Sequence, residues 1–287
     1  MDGLRYEAPK TLDAAVALLA GADGEARVMA GGTDVLVQMD ADLIEPNLVV
    51  DVKNIPELRA IAAEDGGWRV GAAVTGMEIL EHEDFAAAWP GVVEGVALIG
   101  SIQVKGRATM GGNLCNASPA ADSVPPLIAS GATARVVGPD GSRDVAVEDI
   151  ATGPGQTSLA KGEIVVSFLF PAKAAHSGDA YHRFTPRTEM DIAVVGVGVK
   201  LTLDNGGTCT DARVVLGAVA AQALLVDECA ATLVGTKVDD GALEALAAAA
   251  SAAAKPIDDK RGTKEFRIKI AGVLARRVAE AALERAR

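Results

Sequence analysis

Residues 109–122 read TMGGNLCNASPAAD, and residues 30–34 read AGGTD. Each sets a Gly-Gly pair beside a small hydroxyl residue, and neither is spelled like a common nucleotide signature. AGGTD follows the β-rich Val28-Met29-Ala30 and precedes a helical pattern. Gly31, Gly32, Thr33 and Asp34 therefore fall at a strand-to-helix junction, with Asp34 in the first helical turn. Backbone N–H groups are free at such a junction, and the helix end adds partial positive charge, which favours an anion. Glycine admits a positive φ and lets a phosphate approach the main chain with no Cβ in the way. Thr33 adds a hydroxyl donor. A tight turn that only caps the next helix is the alternative for AGGTD taken alone. In the longer stretch, Thr109, Gly111, Gly112 and Asn113 again offer donors and open backbone. A phosphate would repel Asp122, so its expected role is to accept from a ribose hydroxyl or a base amine. Two N–H-rich loops and one acceptor suit a dinucleotide cofactor.

The rest of the composition narrows the class. The 287 residues are ample for a packed core and favour two domains over one. A net charge of -12 argues against binding a polyanion, which needs clustered Lys and Arg. No run of apolar residues is long enough to span a bilayer, and the acidic start MDGLRYEAPK is unlike a secretion signal. The expectation is a cytoplasmic protein. Cys115, Cys209 and Cys229 form no C-x-x-C, and His82, His176 and His182 show no paired spacing, so this chain offers no metal site. Cys115 reads as a small buried residue, not a reactive thiol.

Local signals give the order of elements. Thr11 caps a helix that Gly21 stops, NLVVDVKNI is a short strand, and Thr75-x-x-Glu78 is a capping box. ATARVVGPDGSRDVAV is a hairpin turning at Pro-Asp-Gly, and EIVVSFLFP is a continuous apolar strand closing the first region. PAKAAHSGD reads as a linker. Two long strands then meet at Asn205-Gly206-Gly207, and Ala-rich helices follow, one ending before Pro256. The last helix places Phe266, Ile270, Val273, Leu274, Val278 and Ala281 on one apolar face. Val195-Gly196-Val197-Gly198 looks like the start of a Rossmann fingerprint, but its third glycine would fall on Leu201 and the segment runs on as a strand. Small residues in a packed strand are the better reading there.

AGGTD together with TMGGNLCNASPAAD resembles the FAD-binding, or medium, subunit of the molybdenum hydroxylases, the xanthine dehydrogenase and aerobic carbon monoxide dehydrogenase family. The resemblance continues through GEIVVSFLFP, RFTPRTEMDIAVVGVGV and EFRIKIAGVLARRV, and so covers essentially the whole chain. It implies an α+β fold. An FAD-binding domain over residues 1–172 would have two lobes similar to the vanillyl-alcohol oxidase type, split near 55–60. A smaller α+β domain of antiparallel sheet and helices would fill 178–287.

By position, the resemblance implies flavin contacts at Val28, Met29, Ala30, Gly31, Gly32, Thr33, Asp34 and Val35. It adds Thr109, Met110, Gly111, Gly112 and Asn113, with Asp122 on the adenosine side, and Ile99, Val165 and Arg183 as three further contacts. Val165 suits packing on the ring. Arg183 is either a cation near the flavin or a solvated charge on a strand edge.

The same resemblance implies non-covalent FAD and no catalytic or metal-ligating residue here. The [2Fe–2S] clusters and the molybdenum–pterin cofactor would belong to an iron–sulfur small subunit and a large subunit, in a dimer of heterotrimers. The implied role is electron transfer. A self-contained flavin oxidase or reductase is the alternative, but it needs an acid or base near the ring, and no convincing one is legible. A cofactor-free scaffold would show degenerate glycine stretches, and these are intact.

Overall fold

A computed structural model describes residues 3–287, which form three sheet-and-helix units in chain order. The first contains β1 (Arg5–Glu7), α1 (Leu12–Ala20), β2 (Ala26–Met29), α2 (Val35–Asp40) and β3 (Leu48–Asp51). Its three strands are parallel, in the order β1-β3-β2. β3, LVVD, is buried at every position because it lies at the centre of that sheet. Thr11 caps α1 by accepting from the Ala14 N–H, and Gly21 ends it.

The second unit opens with β4 (Ile61–Glu64) and β5 (Gly67–Gly71). Six short helices follow: α3 (Gly76–Glu81), α4 (Glu83–Ala88), α5 (Pro90–Ala97), α6 (Ile102–Lys105), α7 (Met110–Cys115) and α8 (Val124–Ala129). The hairpin β6 (Thr133–Gly138) and β7 (Gly141–Ala146), the small ladder β8 (Ala151–Gly153) and β9 (Gln156–Thr157), and β10 (Ile164–Phe170) complete it. The antiparallel sheet runs β4-β5-β10-β6-β7. The apolar strand that closes the region in sequence is thus central in space, which is why nearly all of IVVSFLF is buried. The Thr75–Glu78 capping box forms with both of its bonds. Ile164 and Val166 also pack into the core of the first unit, joining the two.

The third unit has four antiparallel strands, β11 (Ser177–Phe184), β12 (Val195–Leu203), β13 (Cys209–Gly217) and β14 (Leu224–Leu225), and three helices, α9 (Asp227–Leu233), α10 (Asp240–Ala253) and α11 (Lys264–Ala286). It rests on the second unit through α8, whose six residues are all buried. Gly198 and Gly217 make room for this: a Cβ on either would come within 2.8 Å of Pro125. Within VGVG, Gly198 is therefore a packing position under a helix, while Gly196 makes room for the Tyr181 ring.

Three expectations change. The segment PAKAAHSGD is a linker only as far as His176, because Ser177, Gly178 and Asp179 already belong to β11. TMGGNLC is not a loop: Thr109 accepts from the Gly112 N–H and caps α7. The buried face of α11 is also rotated from the expected one. Ala271, Leu274, Ala275, Val278, Ala279 and Ala282 are buried, while Phe266 and Val273 are more than a third exposed. Packed against a sheet and against α10, this helix comes close through alanine, so bulk is a poor guide to its inner face. Among the described residues no helix is long and apolar enough to cross a membrane.

Candidate functional site

A cleft of about 470 Å³ lies where the first and second units meet. β2 contributes Val28 and Met29, with Ala30 after it, and the turn into α2 contributes Gly32, Thr33, Asp34 and Val35. From the other side come Thr109, Gly111, Gly112 and Asn113, with Ile99 and Val165 among the apolar lining. Two stretches far apart in sequence are thus brought to one cavity, of the size small-molecule sites have.

The two sides offer different chemistry. Among the described residues, the backbone N–H groups of Gly31, Gly32, Thr33 and Asp34 meet no acceptor within the protein. Gly32 has φ +79°, a left-handed conformation that glycine adopts without strain, and it folds the turn so that its carbonyl accepts from Leu36. Four successive unpaired donors form a concavity suited to an anion. On the opposite side three of the amides are already used. Gly111 donates to the Ala72 carbonyl at 3.2 Å, Gly112 to Thr109 Oγ1 at 2.9 Å and Asn113 to the Thr109 carbonyl at 2.9 Å. The expectation of two N–H-rich loops is corrected: one side holds free donors, and the other supplies shape. A Cβ on Gly111 would stand 2.5 Å from the Ala72 carbonyl, whereas one on exposed Gly112 would meet only Thr109 Oγ1 at 3.1 Å. Gly111 is required by packing, and Gly112 leaves the wall of the cleft open.

Asp122 and Arg183 are close to one another but do not line the cavity. Arg183, on β11, forms an ion pair with Asp122, and their side chains are only 5% and 9% exposed. The solvated strand-edge reading of Arg183 is therefore overturned. Asp122 Oδ1 also accepts from the Tyr181 hydroxyl at 2.8 Å. Burial pushes the Asp122 carboxyl up to about 6, although Arg183 and Tyr181 both pull it down. The pair reaches the cavity indirectly: Asn113 Oδ1, on the cleft side, accepts from the Ser123 hydroxyl at 2.7 Å and the Ser123 N–H at 3.2 Å. Met110 is core, and Gly31 lies behind the turn, with its carbonyl accepting from Arg107 Nε at 3.3 Å.

Several lining residues carry no sequence signal, among them Gln38, Leu43, Ala72, Ala73, Asn116 and Leu159. Gln38 and Asn116 bond to each other across the cleft (2.9 Å), a pairing that only the fold creates. Cys115 also lines it, and desolvation pushes its thiol up to about 12, so at neutral pH it is no thiolate nucleophile. Among the described residues no group of His, Cys, Asp and Glu could hold a metal ion.

Unpaired amides on one side, apolar side chains beside them and an opening where Gly112 lacks a Cβ suit a ligand that is anionic at one point and apolar at another. Residues 2–173 match the family described as the FAD binding domain in molybdopterin dehydrogenase, and residues 180–282 match the CO dehydrogenase flavoprotein C-terminal domain. The chain is 34% identical to the carbon monoxide dehydrogenase medium chain of Afipia carboxidovorans, over 98% of this chain and 97% of that one. It is 32% identical to the xanthine dehydrogenase FAD-binding subunit of Escherichia coli O157:H7, over 96% and 95% of the two chains. It superposes on a chain of the Cu,Mo-CO dehydrogenase crystal structure with a TM-score of 0.94 at 34% identity, covering 98% of each. On a chain of quinoline 2-oxidoreductase from Pseudomonas putida 86 the TM-score is 0.89 at 30% identity, over 99% and 98%. The chain belongs to this family: it is an FAD-binding subunit of the molybdenum hydroxylases.

Proposed function

We propose that this chain holds FAD non-covalently in the cleft, takes electrons from [2Fe–2S] clusters of a partner small subunit and passes them to an external acceptor. Bound there, FAD supplies one-electron exchange with clusters and two-electron exchange with an acceptor, while the protein binds, orients and tunes it. The free amides of Gly31, Gly32, Thr33 and Asp34 hold the diphosphate, assisted by the Thr33 hydroxyl. Val28, Met29, Ala30, Val35, Ile99 and Val165 give apolar contact, and Thr109, Gly111, Gly112 and Asn113 shape the opposite wall. Met110 supports that wall from the core. Asp122 and Arg183 act from behind it, through Ser123 and Asn113. Substrate oxidation takes place at the molybdenum–pterin centre of a large subunit, within a dimer of heterotrimers in the cytoplasm. In this reading residues 1–172 form a vanillyl-alcohol oxidase type of FAD domain with lobes split near 55–60, and residues 178–287 form the C-terminal domain.

The observation that carries the reading is the run of four unpaired amides at Gly31, Gly32, Thr33 and Asp34, the last three in residues that line the cleft. Titrating the apoprotein with FAD tests it: flavin fluorescence is expected to reach its end point at one FAD per chain. Acid precipitation of the complex is expected to leave the yellow colour in the supernatant. No saturable binding would sink the assignment, and colour kept in the pellet would sink the non-covalent part.

A further inference from the structure

Asn116 joins the two sides of the cleft by both ends of its amide. Its Oδ1 accepts from Gln38 Nε2 at 2.9 Å, and its Nδ2 donates to Asp34 Oδ1 at 3.1 Å. All three side chains line the cavity. Gln38 is on α2, Asp34 precedes α2 directly, and Asn116 follows α7.

The bridge matters because α2 has little else to hold it. None of its six residues is buried, and Leu36 and Val37 are 51% and 64% exposed. With only Val35 and Met39 half-buried, its placement against the second unit leans on polar bonds, and α2 cannot swing without moving the Gly31–Asp34 turn to which it is joined. Desolvation raises the Asp34 carboxyl above its usual range, and its Oδ1 accepts from the Asn116 amide.

We propose that Asn116 is a positioning residue, a clasp that holds the amide turn over the cofactor and sets how fast FAD leaves. The clasp rests on the reading of the cleft as an FAD site and adds to it the step of cofactor release. It must open for α2 to move aside, and it carries two hydrogen bonds that solvent replaces only in part.

Asn116→Asp keeps the acceptor for Gln38 but turns a carboxylate toward Asp34, whereas Asn116→Leu removes both bonds. Each is expected to speed FAD release about tenfold or more, read as recovery of flavin fluorescence after dilution, with the melting temperature of the apoprotein unchanged. Combining Asp34→Asn with Asn116→Asp reverses the polarity of the bond, with an amide at 34 donating to a carboxylate at 116. This pair is expected to restore release to within about threefold of the parent protein. Release at the parent rate in Asn116→Asp, or no rescue by the pair, would overturn the clasp. Gln38→Leu serves if the position 116 variants do not fold: faster release supports the clasp and an unchanged rate overturns it. A parent protein that binds no FAD would defeat the FAD reading itself, which separates the two failures.

Discussion

Gly111 and Gly112 are neighbours on α7, yet they answer different demands. A Cβ on Gly111 has nowhere to go, since it would press on the Ala72 carbonyl at 2.5 Å, and backbone yields little. Gly111→Ala is therefore expected to cost the apoprotein about 1–3 kcal/mol, as overpacking does, and to lower its melting temperature. Gly112 is exposed, and a side chain there enters the cleft with only Thr109 Oγ1 nearby at 3.1 Å. Gly112→Val should leave the apoprotein folded with its stability little changed, and weaken FAD binding at least about tenfold, equivalent to about 1.4 kcal/mol. Circular dichroism and a fluorescence titration on the same sample check both halves. A folded Gly112→Val protein that keeps one tightly held FAD per chain would remove α7 from the cofactor wall. The glycine pairs were legible in the sequence as positions where backbone or ligand comes close. Which glycine serves which purpose was not, because Ala72 and Arg107, the groups they press on, are brought there by other elements.

At the scale of elements, β11 and the segment before α8 meet through the buried Asp122–Arg183 pair, with Tyr181 donating to the same carboxylate. Burial raises Asp122 from 3.8 to about 6, so the folded state holds this proton at pH values where the unfolded chain has lost it. A group raised in this way contributes its stability fully below about pH 4 and loses it as pH rises through about 6. The stability of the parent protein minus that of Asp122→Asn, from urea unfolding, is thus expected to grow by up to about 3 kcal/mol as pH falls from 7 to 4. A difference that stays flat over that range would mean that Asp122 does not titrate as a buried acid. The same pair explains what sequence pattern could reveal about β11. Local signals succeeded where the partner is a few residues away: the Thr11 cap, the Thr75–Glu78 box and the Pro-Asp-Gly hairpin all form. The SGD of this strand reads as linker, and Arg183 as either a flavin-side cation or a strand-edge charge, because Asp179 and Arg183 are buried by partners that local pattern does not show. Asp179 accepts from the Gly91 N–H at 2.8 Å and from Lys173 at 2.5 Å, while Arg183 finds Asp122.

For the whole molecule, the arrangement of cores decides how cofactor binding is felt. Ile164 and Val166 of β10 pack into the core of the first unit, and Val215 of β13 packs into that of the second. Neither boundary is a flexible joint. Arg285 at the end of α11 reaches across to Glu94 of α5, and Arg213 of β13 pairs with Glu148 at 2.8 Å. FAD that bridges the first two units therefore stabilises a body to which the third is already fastened. Binding to the folded state alone adds about 2.7 kcal/mol when free FAD is a hundredfold above its dissociation constant. Removing FAD is expected to lower the melting temperature by about 5–10 °C, taking about 2–4 °C per kcal/mol for a chain approaching this size. Shared cores also predict a single transition in both samples, shifted as a whole. Calorimetry checks this directly: a holoprotein with two transitions, only the earlier of which moves with FAD, would show the C-terminal sheet unfolding independently.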